Sequence, residues 1–175
     1  TKEYYEGVAH TIFPLAAVFT REYCRLSESP EEIMAEWMEL AKDNYAHVAL
    51  KPHVREYLEV LRAKGERMAI FTSCVPVHCR TALAVHDLDQ YFERVVFAQE
   101  LGMDKSDPAI FEKATALLGV KPNEFIFFDD SVKSCRSAKE SGMTVIGVYD
   151  PFFDGTKDEM PLVCDRFIHD FGEML

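Results

Sequence analysis

Four short apolar runs, each parted from the next by a helical pattern, constrain this chain more than any other feature. They are RMAIFT (67–72), RVVF (94–97), FIFFD (125–129) and MTVIGV (143–148). The spacing predicts helices over 52–63, 76–86, 108–118 and 132–140, with Gly65, Gly119 and Gly142 as their terminators. Parallel strands need long crossovers, and helices are the usual ones. Near-continuous apolar strands are those covered on both faces. The pattern therefore predicts an α/β fold: a Rossmann-like open parallel sheet with flanking helices over 51–175.

The first fifty residues read differently. Tyr4, Val8 and Ile12 recur at helical spacing until Pro14 interrupts, and a helical pattern resumes over 15–26. Ser29-Pro30-Glu31-Glu32 predicts a helix start, with Ser29 as N-cap, Pro30 at the first helical position and Glu32 closing a capping box. Ile33, Trp37, Leu40 and Ala41 would form the core stripe of that helix. No strand signal precedes Arg67, and the tail beyond Pro151 reads as irregular. The predicted organisation is a helical segment over 1–50 followed by an α/β core.

Composition narrows the function. The 175 residues suit one domain, or a domain with a small insert. Their net charge of −11 argues against nucleic acid or an anionic membrane as partner. A small anionic substrate responds to a local field and stays possible. Five cysteines without a C-x-x-C pair suit a reduced, cytoplasmic protein. The apolar run over 11–19 is broken by Pro14, so no signal peptide or membrane span is predicted. A monomer or homodimer is expected.

Open parallel sheets bind ligands at the carboxyl ends of their strands. The first strand ends in Thr72-Ser73, ahead of a helix opened by Pro76. A hydroxyl and free backbone N–H groups there suit a phosphate, and equally suit capping of the helix. The third strand ends in Asp129-Asp130-Ser131. One Asp, or Ser131, suffices as a cap. Two adjacent carboxylates behind FIFF are costly to desolvate, and a hard cation such as Mg²⁺ relieves that cost. Lys105, in the loop before Pro108, could hold a phosphate oxygen or offset the Asp pair. His86-Asp87-Leu88-Asp89 reads as a turn. Cys74 and Cys79 lack two further ligands for zinc. His10, His47, His53, His78 and His169 are scattered and receive no role.

Taken together these stretches resemble the haloacid dehalogenase superfamily, in the branch of capped phosphatases related to phosphoglycolate phosphatase and β-phosphoglucomutase. KSDPAIF is similar to its K-P-x-P-x-x-F stretch, FIFFDDS to its acidic fourth motif and MAIFTS to its second. The resemblance covers roughly 51–150, and the helical start resembles the family's cap. It implies a Mg²⁺-dependent hydrolase of phosphate monoesters of small metabolites, working through an aspartyl-phosphate. Thr72 would hydrogen-bond the phosphoryl group and Ser73 would offer its backbone N–H. Lys105 would bind the phosphate and the nucleophile, while Asp129 and Asp130 would hold Mg²⁺.

One part of the family pattern is absent from these residues. The first motif, D-x-D-x-T, carries both the nucleophile and the general acid/base. A strand, motif and short loop of roughly fifteen residues is expected ahead of Thr1. Tyr5 stands where the family's mutases carry a His, which favours a hydrolase. The alternative is a catalytically inactive module of the same fold that binds phosphate and Mg²⁺ for regulation.

Overall fold

The computed structural model describes residues 1–8 and 11–175. His10 therefore lies outside the described residues. The chain divides into two units, Thr1–Ala49 with Ile70–Asp104, and Leu50–Ala69 with Lys105–Leu175.

The first unit opens with helices α1 (Lys2–Val8), α2 (Phe13–Cys24) and α3 (Pro30–Ala46). Pro14 does not interrupt a helix. It stands in the first turn of α2, where a missing N–H leaves no bond unmade. The capping box forms as expected: the Glu32 N–H donates to Ser29 Oγ at 3.2 Å, and the Ser29 N–H to Glu32 Oε2 at 2.7 Å. Of the expected stripe on α3, Ile33 is buried and Trp37 stands 5.7 Å from Phe13, ring to ring. Leu40 departs from it, 64% exposed, so the buried face of α3 is narrower than the spacing implies.

Strands β1 (Ala69–Thr72) and β2 (Arg94–Phe97) pair with each other in this unit. Helix α5 (Pro76–Val85) lies between them in sequence and packs against α3. Asp87, in the segment read as a turn, adopts the left-handed conformation at φ 50°. Asp is among the few residues that accept it at low cost.

The second unit contains α4 (Val54–Ala63), α6 (Ala109–Leu118), β3 (Ile126–Asp129), α7 (Val132–Glu140), β4 (Thr144–Val148), α8 (Met160–Val163) and β5 (Arg166–Ile168). Its sheet is parallel, in the order β3-β4-β5, with Phe127 opposite Val145, Phe128 opposite Ile146 and Asp129 opposite Gly147. Strand periodicity sorts these rungs onto two faces. Phe128, Ile146, Val148 and Ile168 pack with Phe171 on one face, where the Tyr57 ring of α4 also stands 5.8 Å from Phe128. Phe127 lies on the other face, edge-on to Phe111 of α6 at 5.1 Å.

The tail is not irregular, as its sequence suggests. It supplies α8 and the third strand of this sheet. At three residues, β5 is too short to show a period. Helix α6 starts one residue later than expected, at Ala109, with Pro108 rather than Asp107 at the N-cap position; the Asp107 side chain still accepts the Ala109 N–H at 2.9 Å. Among the described residues no helix is long and apolar enough to cross a membrane.

Candidate active site

The acidic stretch at the end of β3 begins with an assignment that sequence left open. Ser131 is the N-cap of α7, its Oγ accepting the Ser134 N–H at 3.3 Å. Neither Asp is needed for that role. Asp129 Oδ1 instead accepts the Ser131 N–H at 2.9 Å, and Oδ2 lies 2.5 Å from Lys105 Nζ. The Lys105 and Asp129 side chains are only 13% and 9% exposed, so this lysine is not a solvated loop charge. Its ammonium also stands 5.6 Å over the Phe127 ring, a cation–π position.

Asp130 points into different company. Lys51 Nζ is 3.9 Å from Asp130 Oδ2, 2.5 Å from Asp150 Oδ2 and 3.1 Å from the Tyr149 carbonyl. Burial pushes Asp130 up to about 6; the Asp129 charge adds to this, and Lys51 only partly opposes it. Burial also pushes Asp150 upward. There the hydrogen bonds from Lys51 and from the Phe152 N–H win, and hold it below its ordinary value.

Three carboxylates thus face two ammonium groups. That surplus of hard oxygen donors suits Mg²⁺, which retains several waters and takes one or two carboxylates. Asp129 and Asp130 are the residues that would hold it. Among the described residues no group of three or more His, Cys, Asp or Glu could hold a metal by itself.

Lys51 and Asp150 were not singled out from the sequence. Asp150 could have been, because it lies two residues beyond β4, at a strand's carboxyl end. Lys51 gave no such signal, lying 99 positions from its partner.

Thr72 and Ser73 belong to the first unit. Thr72 Oγ1 accepts the Cys74 N–H at 3.0 Å, closing a tight turn. Val75 is the N-cap of α5, and no side chain caps that helix. Simple capping by Thr72 or Ser73 is therefore not what the structure shows. Close by, the Tyr45 ring stacks on buried His78 at 4.8 Å, and burial raises the Cys74 thiol.

The sequence profile of haloacid dehalogenase-like hydrolases matches residues 11–148. This chain belongs to that family. A phosphorylated carbohydrates phosphatase from Thermotoga maritima is 32% identical over 71% of this chain and 55% of its own length. A glyceraldehyde 3-phosphate phosphatase from Methanopyrus kandleri is 30% identical over 67% of this chain and 52% of its own. This haloacid dehalogenase-like chain thus spans about half the length of the curated relatives it matches. The crystal structure of a predicted phosphoglycolate phosphatase from Haemophilus somnus superposes with a TM-score of 0.79 at 20% identity. That match covers 99% of this chain and 80% of the other. At such identity the likeness speaks for the haloacid dehalogenase fold.

Proposed function

We propose that this chain is part of a Mg²⁺-dependent phosphatase of small phosphorylated metabolites, with residues 1–50 as its cap and 51–175 as its α/β core. The observation that carries the reading is the buried Lys105–Asp129 pair beside a second carboxylate, Asp130, at the carboxyl end of β3. The relatives named as phosphatases support it, and their names favour small metabolite substrates.

Each side chain has a stated task in this reading. Lys105, positioned by Asp129, holds a phosphate oxygen with a full positive charge. By the family pattern, Thr72 donates its hydroxyl hydrogen to the phosphoryl group; its oxygen already serves the Cys74 N–H. Ser73 offers a backbone N–H. Asp129 and Asp130 would hold Mg²⁺, which supplies charge to offset the phosphate and the carboxylates. Lys51 bridges Asp130 and Asp150 and offsets their mutual repulsion. By the family pattern, the attacking Asp and its acid/base partner would come from a D-x-D-x-T segment, a motif that these 175 residues do not contain. That Asp forms a bond to phosphorus as the ester oxygen leaves with a proton from the partner. Water then releases inorganic phosphate and regenerates the carboxylate.

The test uses the full-length protein, with phosphate release measured over a panel of sugar, triose and glycolate phosphates, with Mg²⁺ and with chelator. Release that needs Mg²⁺ and falls at least about 100-fold in Lys105→Met is the expected result. No release from any ester, with Mg²⁺ and phosphate still bound, would overturn it in favour of the inactive binding module.

A further inference from the structure

Beneath the acidic stretch, two cysteines that the proposed chemistry does not use converge on a single rung of the sheet. Cys135, fully buried on α7, places its thiol 3.5 Å from the Asp129 carbonyl oxygen. Cys164 follows α8 and is half-buried. Its sulfur occupies the space that Gly147 leaves open, since a Cβ at Gly147 would come within 2.9 Å of Cys164 Sγ. Asp129 and Gly147 are register partners in β3 and β4. One thiol sits against the Asp129 carbonyl and the other against the Gly147 backbone, so the two face the same pair of register partners. Both are free. A disulfide forms only between cysteines whose backbones lie close together, and neighbouring strands of one sheet bring these two to the same rung.

We propose that Cys164 and Cys135 form a reactive and resolving cysteine pair, which low-molecular-weight disulfides convert to a reversible intramolecular disulfide. Cys164 reacts first because it is the less buried residue of the two. It loses its proton and attacks one sulfur of the reagent, whose S–S bond breaks, and one thiol leaves. Cys135 then loses its proton and attacks Cys164 Sγ in the mixed disulfide, expelling the second thiol. The two protein thiols are oxidised by two electrons, and the reagent disulfide is reduced to two thiols. The product has no S–H to offer the Asp129 carbonyl, and it ties α7 to the segment after α8. The inference stands apart from the proposed phosphatase activity, since its readout is covalent.

The test incubates purified, reduced protein with oxidised glutathione, alkylates the remaining thiols and maps the tryptic peptides. The expected product joins the peptide ending at Arg136 to the peptide ending at Arg166, and dithiothreitol reverses it. Cys135→Ser should retain glutathione on Cys164 without a cross-link. Cys164→Ser should leave Cys135 alkylated only after denaturation. A stable glutathione adduct on Cys164 in the unmutated protein, or alkylation of both thiols after oxidation, would overturn the proposal.

Discussion

Lys105 Nζ meets Asp129 Oδ2 at 2.5 Å while standing over the Phe127 ring, so one ammonium is shared between a carboxylate and the face of the strand that carries it. Buried pairs of this kind punish the loss of one partner more than the loss of both. Lys105→Met leaves an uncompensated carboxylate. It should cost about 3–5 kcal/mol in equilibrium urea unfolding. Adding Asp129→Leu should recover most of that loss. A single variant as stable as the parent would show that the pair contributes no such coupling.

The pH behaviour of metal-free protein should bear the mark of Asp130. Its carboxyl moves from an ordinary value of 3.8 to about 6 on folding, so the folded state binds the extra proton. The resulting stabilisation is complete below pH 3.8 and is lost as pH rises through about 6. Carboxyl ¹³C shifts should give a midpoint near 6 for Asp130, and Asp130→Asn should flatten this part of the stability–pH curve.

Lys51 opposes that upward shift from 3.9 Å. Lys51→Met should therefore move the Asp130 midpoint higher, and should raise Asp150 as well by removing its hydrogen-bond donor. The same ¹³C titration reads both. Movement of Asp130 alone would mean that Lys51 serves Asp150 little in solution.

Ser29→Ala removes the acceptor for the Glu32 N–H at the start of α3. The expected loss is about 1 kcal/mol. Ser29→Gly should cost only a few tenths. Thermal unfolding of the three proteins side by side is sufficient to rank them.

Elements with a strong local pattern could be read directly from the residues. Strand β2 and helix α7 begin and end where the apolar run and the helical spacing say, at Arg94–Phe97 and Val132–Glu140. In FIFFDDS, apolar residues running straight into two acids call for compensating charge, and Lys105 stands 2.5 Å from Asp129 and Lys51 3.9 Å from Asp130. Features set by distant partners were hidden. Strand β5 exists because Ile168 can pack against Ile146 and Val148, a fact that its three residues do not carry alone. Lys51 acquires its meaning only when the chain brings it back to Asp150. Pro14 opens α2 where its sequence reads as an interruption, because proline is a breaker inside a helix and an opener at its start, and the difference is one turn.

Gly147 carries a consequence for how this sequence can drift. A methyl group there would collide with Met160 Cε at 2.8 Å, Cys164 Sγ at 2.9 Å and the Phe167 ring at 3.2 Å. The glycine and the thiol therefore compete for one volume, and position 147 is not free to grow while the thiol is there. Gly147→Ala should be harmful on its own and milder beside Cys164→Ala, a non-additive pairing of the kind that contacting sites show. Lineages that enlarge position 147 would have to move the Met160 methyl and give up the sulfur at 164, and with it any chemistry that depends on the thiol.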